Sequence, residues 1–230
     1  MKKTMLTAAA AVAALALPAA AHAGNAQGKI QVKVLATGVL PDGKVSEVKN
    51  NTAGWVPTAV ADTSANDNVV PTVAIEYFFT PNISVETICC VTAHHVTISS
   101  GALKGTVAID DVKIIPATFT AKYHLPLGPI KPYVGVGPTL FLMISDKPSA
   151  AVSGRGVTRT HMSSNLGVAV QGGVDVAIGN SGYSLSLDAK KYWVSTTATF
   201  YDPTKAGGIA LQSKHKLDPW VLSAGVAYRF

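Results

Sequence analysis

Six histidines, an adjacent cysteine pair and a scatter of carboxylates and lysines hold whatever chemistry this chain can do. His94, His95, His161 and His215 fall in segments that read as one end of the molecule, amid many serines. A lipid hydrolase working through Ser and His is therefore one reading to weigh. No spacing sets a nucleophile beside a base. No His pair at i, i+4 and no Cys–His spacing marks a metal site. The histidines read as structural, and no catalytic, metal-binding or cofactor-binding residue is assigned. Cys89 and Cys90 are neighbours, which on a strand point to opposite faces. A disulfide between them would need strained geometry, so they read as small, semi-apolar strand residues. No glycine-rich phosphate loop opens a helix, which removes a nucleotide reading. What remains is a polar set: Glu76, Glu86, Lys122, Gln171, Asp175, Asp188, Lys190 and Arg229. Each falls on the polar side of an alternating segment. In a shared interior such charges have to pair, because a solitary buried ion is too costly.

Composition narrows what could hold them. Of 230 residues, 48% are hydrophobic and 14% charged, against about 25% charged in an ordinary soluble domain. Disordered chains and nucleic-acid binders both need more charge, so neither class fits and no nucleic-acid partner is expected. Residues 1–23 read as a signal peptide: Lys2 and Lys3, an apolar run from Met5 to Leu17, Pro18, then Ala21-His22-Ala23 as a small-x-small cleavage pattern. The domain is then 24–230. Elsewhere no apolar run reaches the ~18 residues of a transmembrane helix. High apolarity without a helical span leaves a membrane barrel or an unusually apolar secreted β-domain.

Period-2 alternation runs through the body of the chain. Trp220, Leu222, Ala224, Val226, Tyr228 and Phe230 share one face of the last segment, and Val221, Ser223, Gly225, Ala227 and Arg229 the other. Eight strands are predicted, near 29–38, 68–79, 82–97, 112–125, 130–145, 162–179, 182–197 and 218–230. The face of 130–145 is ambiguous, since the even positions are more apolar while Tyr133 and Phe141 are odd. Several strands have the ~9–11 residues a tilted strand needs to cross a bilayer. Short turns (Thr80-Pro81, 126–129, Asn180-Ser181) alternate with long loops at 39–67, 98–111, 146–161 and 198–217. That asymmetry is the pattern of an outer-membrane barrel. The predicted fold class is all-β, an eight-stranded antiparallel up-and-down transmembrane barrel. Tyr77, Phe78, Phe79, Tyr123, Tyr133, Tyr183, Tyr228 and Phe230 gather at the short-turn end, with Trp193 and Trp220 at the other, as two interfacial girdles. Tyr228 and Phe230, apolar at alternate positions up to the last residue, look like the signal read by the barrel assembly machinery.

The chain resembles the OmpW family of small outer-membrane barrels, which includes AlkL-type proteins. The resemblance is carried by Ile30 to Val34 after the signal peptide, Ile75 to Glu86, Pro116 to His124, Ile130 to Gly137, Leu187 to Tyr192, Thr196 to Thr199 and the ending Ala227 to Phe230. Each motif is modest alone, and their shared order makes it specific. The vicinal Cys89-Cys90 and His94-His95 depart from the family pattern. The resemblance implies a monomeric barrel that passes small hydrophobic compounds across the outer membrane. It also implies bacteriocins or phage as partners of some members.

An eight-stranded barrel is just wide enough for side chains to fill it, so a broad aqueous pore is excluded. The polar set named above is expected to form a lower plug. Transport would then use the upper half: an apolar funnel through the lipopolysaccharide layer, followed by sideways exit into the membrane. Leu40, Trp55, Val56, Leu103, Val107, Leu142 and Met143 are the candidates for its apolar lining. Proline cannot donate to a ladder, and Pro71, Pro116 and Pro138 lie inside predicted strands; Pro116 and Pro138 are the expected opening, with tolerated bulges the competing reading. A second functional reading makes the barrel a surface receptor or adhesin acting through its long loops. Without the signal peptide the formal charge falls from +6 by its two lysines, and a small basic excess suits contact with anionic lipopolysaccharide and outer-membrane lipid.

Overall fold

In the computed structural model, residues 29–54, 63–98 and 104–230 are described. The signal peptide lies outside them. In chain order the strands are β1 (Ile30–Leu40), β2 (Lys44–Asn50), β3 (Thr63–Ala65), β4 (Asn68–Phe78), β5 (Ile83–Cys89), β6 (Thr92–Ile98) and β7 (Val107–His124). Then come β8 (Ile130–Pro148), helix α1 (Ala150–Ser153), β9 (Arg159–Met162), β10 (Asn165–Ala177), β11 (Tyr183–Trp193), β12 (Ser195–Tyr201), β13 (Ile209–Lys216) and β14 (Trp220–Arg229).

Eight antiparallel staves close a barrel in the order β1, β4, β5 continued by β6, β7, β8, β10, β11, β14. Pairing of β1 with β14, Gln31 opposite Arg229 through Leu40 opposite Trp220, completes the ring. Closure leaves the barrel no free edge, the condition for β-structure in lipid. Alternation decides which side chains face out. On β4, Val69, Val73, Ile75 and Tyr77 are exposed, while Val70, Thr72, Ala74, Glu76 and Phe78 are buried. The outward face is apolar because hydrocarbon is its solvent. The ambiguous stave β8 resolves the same way: Val134, Val136, Leu142 and Ile144 face out, and Tyr133, Thr139 and Phe141 face in. Phe78 and Tyr133 therefore leave the girdle assigned to them and enter the lumen. Tyr77, Phe79, Tyr123 and Phe230 stay outside, with Tyr77 against Phe79 and Tyr228 against Phe230 at ring-centroid distances of 5.1 and 4.8 Å.

The short turns sit at one end. Thr80 Oγ1 accepts the N–H groups of Asn82 and Ile83 at 3.3 and 3.0 Å and so shapes the β4–β5 turn. At the other end the stretches read as loops carry structure. A second sheet, ordered β2-β13-β12-β9, stands above the barrel. It corrects the loops at 39–67, 146–161 and 198–217, which contain β2, β9, α1 and β13 and most of β12. The stave read as 182–197 in fact breaks at Val194, whose N–H donates to Asp218 Oδ1 at 2.9 Å, and β12 leaves for the upper sheet. An apolar cluster that includes Val39, Ile109, Val112, Phe141, Val152, Met162, Tyr192, Phe200 and Leu211 joins sheet to barrel.

Candidate functional site: a plugged lumen, an apolar chamber and a weakened seam

Inward parity puts ions from seven staves into the lower lumen. Lys33 reaches Glu76, Glu86 and Asp175 at 3.2, 3.3 and 3.3 Å. Lys122 holds both Glu76 and Glu86 at 2.9 Å. Lys190 meets Glu86 at 3.1 Å and Asp188 at 2.5 Å. Gln171 donates to Glu86 and Asp188, both at 3.2 Å, and accepts from Thr120 at 2.6 Å. Tyr133 donates to Asp188 at 2.8 Å, and the Lys122 ammonium lies 3.7 Å from the centre of its ring. His124 Nε2 and Ser84 Oγ close on Glu76 Oε1 at 2.8 and 2.5 Å. Arg229 stacks on Phe78 with its guanidinium 3.6 Å from the ring centre and feels Glu76 and Asp175. Lys33, Lys122, Lys190 and Arg229 thus balance Glu76, Glu86, Asp175 and Asp188, and all eight are buried. Paired and hydrogen-bonded charge is the one way to keep ions in so narrow a lumen.

Two glycines make room for it. A Cβ on Gly173 would lie 2.4 Å from the Tyr133 hydroxyl and 2.4 Å from the Leu187 carbonyl oxygen. A Cβ on Gly135 would press on Lys122 and Gln171 at 2.9 and 3.0 Å.

Above the plug the lumen turns apolar. A chamber of about 60 Å³ is walled by Leu35, Val39, Ile88, Ile114, Phe141 and Val221 among others. A second space of about 60 Å³, bordered by Ile109, Val152, Ala198 and Phe200, continues it into the upper sheet. Ala65, Val96, Met162 and Leu217 border both and form the neck between them. A dry cavity of roughly 150 Å³ is needed for a benzene-sized guest, so such a guest requires side chains of the neck and wall to move.

The chamber wall contains a seam. Pairing of β5 with β7 ends at Ile88 opposite Thr118, and that of β6 with β7 starts at Thr92 opposite Ile114. Pairing of β4 with β5 ends at Val73 opposite Cys89. Cys90 and Val91 therefore lie outside the ladder on both sides. Register explains why. His124 N–H donates to Asn82, so the even backbone groups of β7 face β5 and β6, and Pro116 comes opposite Cys90. Phe79 N–H donates to Ile83, so the odd groups of β4 face the same strand, and Pro71 comes opposite Val91. Both positions lack the N–H that would bond across. Thr72, Cys90, Pro116 and Phe141 of this level all border the chamber. Pro138 opens a separate gap: the β7–β8 ladder skips from Thr118–Thr139 to Ala121–Val136, and Pro138 does not border the chamber.

The eight residues assigned to a polar plug come together as one network, with Lys33, Gln31, Tyr133 and His124 as partners that sequence reasoning missed. Lys33 was legible as the polar side of the first stave, between Gln31 and Leu35. The apolar lining corrects more. Leu40 and Leu142 lie on the outward face: Val39 and Phe141 hold the inward parity, and a one-residue step reverses the face. Val107 is half-buried at the top of β7, and Met143 packs on the apolar cluster; neither borders the chamber. Trp55, Val56 and Leu103 lie outside the described residues. Thr92 and Ser213 contact His94 and His215 at 2.7 and 2.8 Å, each within one strand. Among the described residues no group of three metal-ligand side chains forms.

A closed eight-stranded barrel with an apolar outer band and an ion-filled lower lumen defines a small outer-membrane barrel protein. Residues 26–230 match the OmpW family, and the chain belongs to it. An uncharacterized outer-membrane protein y4mB from Sinorhizobium fredii is 32% identical over 201 residues, covering 87% of this chain and 79% of that one. The crystal structure of OprG from Pseudomonas aeruginosa superposes with a TM-score of 0.79 at 20% identity, over 90% of this chain and 98% of that one. The structure of AlkL in lipid bilayers gives 0.67 at 25% identity, over 93% and 94%. The protein is an outer-membrane barrel of this family.

Proposed function

We propose that the protein gives small hydrophobic molecules a passive route from the cell surface into the outer membrane. A solute enters the upper sheet, passes the neck of Met162 and Leu217, and reaches the chamber above the plug. It leaves sideways where the ladder register is interrupted at Cys90 and Val91, between Pro71 and Pro116. The observation that carries this reading is the coincidence of the two: the level at which the paired ladder is interrupted is the wall of the chamber. Parting strands there has fewer ladder hydrogen bonds to break, because neither proline offers an N–H, whereas parting them elsewhere exposes more donors and acceptors to hydrocarbon. Pro138 has no such place, and Pro71 takes the role that sequence reasoning gave it.

The test restores the missing donors with Pro71→Val and Pro116→Val together. Uptake of ethylbenzene is measured in cells with intact lipopolysaccharide and matched amounts of folded barrel. The double variant should slow uptake severalfold toward the rate of cells lacking the protein. Uptake equal to the unsubstituted barrel would reject the seam as the exit. Equal uptake with and without the protein would reject passage altogether and favour a surface-receptor role for the upper sheet.

A further inference from the structure

The chamber is apolar in its walls but not at its base. Three buried side-chain polar atoms among the described residues have no hydrogen-bond partner: Thr72 Oγ1, Tyr192 OH and Ser186 Oγ. Ser186 sits lower, opposite Asp175 in the plug. The other two border the chamber, and Thr72 is 3% and Tyr192 1% exposed. Hydroxyls near them are satisfied. Thr37 meets Ser223 at 2.9 Å, Thr92 meets His94 at 2.7 Å and Thr118 meets Thr139 at 2.7 Å. Thr118 faces the Tyr192 hydroxyl, yet it is engaged with Thr139 and the pair does not reach hydrogen-bond geometry. Buried hydroxyls without partners are costly and rare. Two of them bordering one cavity mark a place for a partner that the protein itself does not supply.

The charge around the base narrows the chemistry of that partner. Lys190 is the charged group bordering the chamber, and it is committed to Glu86 and Asp188. The plug beneath pairs four cations with four carboxylates. No surplus charge is left to hold a carboxylate or an ammonium, and an ionic head would enter unpaired. We propose that Thr72 and Tyr192 form a head-group subsite, and that the preferred solute is an apolar molecule bearing one neutral oxygen, a hydroxyl or carbonyl. A hydroxyl accepts from Tyr192 and donates to Thr72; a carbonyl accepts from both. The head points down toward the plug and the apolar body lies against Ile88, Ile114 and Phe141. This deepens the passage reading above and rests on it.

Benzyl alcohol and ethylbenzene are of near-equal size and differ in this oxygen. Each is titrated into the full barrel in lipid nanodiscs, and binding is read from methyl NMR shifts of Ile88 and Ile114. The quantity of interest is the ratio of the two apparent affinities, in which lipid partitioning cancels between variants. Thr72→Val and Tyr192→Phe should each lower the alcohol-to-hydrocarbon ratio about fivefold, the worth of one ordinary hydrogen bond, with ethylbenzene binding retained. Thr72→Ser, which keeps the hydroxyl, should leave the ratio near that of the unsubstituted protein and guards against a folding defect. Ethylbenzene binding with an unchanged ratio in both variants overturns the subsite and leaves passage standing. Binding of neither probe overturns both.

Discussion

Glu86 is the carboxylate on which the plug turns. It takes Lys122 at 2.9 Å, Lys190 at 3.1 Å and Lys33 at 3.3 Å, and is 1% exposed. Glu86→Gln keeps the volume and removes the charge. Its new amide hydrogens then face ammonium donors, and four buried cations share three carboxylates. Breaking a buried pair from one side costs about 3–5 kcal/mol, and the variant should lose that much. Urea unfolding in lipid vesicles, followed by tryptophan emission, should show a lower midpoint at unchanged slope. Adding Lys122→Met removes the surplus cation and should recover about half of the loss, a coupling that independent sites would not show. A loss under about 1 kcal/mol would refute the reasoning, because it would mean that the lower lumen is wet enough to solvate an unpaired ammonium.

Gly173→Ala drives a methyl to 2.4 Å from both the Tyr133 hydroxyl and the Leu187 carbonyl. It should cost about 1–3 kcal/mol, and adding Tyr133→Ala should relieve only the ring's share; both are read in the same unfolding assay. His94 tests the upper wall. Its Nδ1–H donates to the Asn66 carbonyl at 2.8 Å, and its Nε2 meets Thr92 at 2.7 Å. Burial pushes its pKa below 6.5, and the nearby His95 adds to this, while the Asn66 carbonyl and Asp67 oppose it. The unfolded state therefore binds the proton first, so stability present above pH 6.5 is lost as the pH falls below it. Protection factors at β3 and β6, from hydrogen exchange corrected for the intrinsic pH dependence of the amide rate, should fall between pH 7 and pH 5 in the unsubstituted protein and stay flat in His94→Gln.

Outward alternation made the staves legible, because lipid demands an apolar residue at every second position whatever the neighbours do. The polar side of the same rule delivered Glu76, Asp188 and their companions, since an ion has nowhere to go but inward. Parity failed where both faces are apolar. At the top of β8, Phe141 faces the lumen and Leu142 the lipid, and composition cannot choose between them. The upper sheet stayed hidden for a different reason. Its strands begin where barrel staves bend, as at Val194, and the Asp218 contact that causes the bend is 24 residues away in sequence. The seam needed register: each proline was visible, but only pairing shows that Pro71 and Pro116 flank the same dipeptide.

The plug also fixes what the barrel withholds. Its ions satisfy one another across the lower lumen, which opposes a continuous file of water and salt to the periplasm. Such a protein can crowd the cell surface without raising ionic conductance or admitting hydrophilic antibiotics. Under the passage we propose, the cell would gain permeability to oily nutrients while its osmotic seal stays intact.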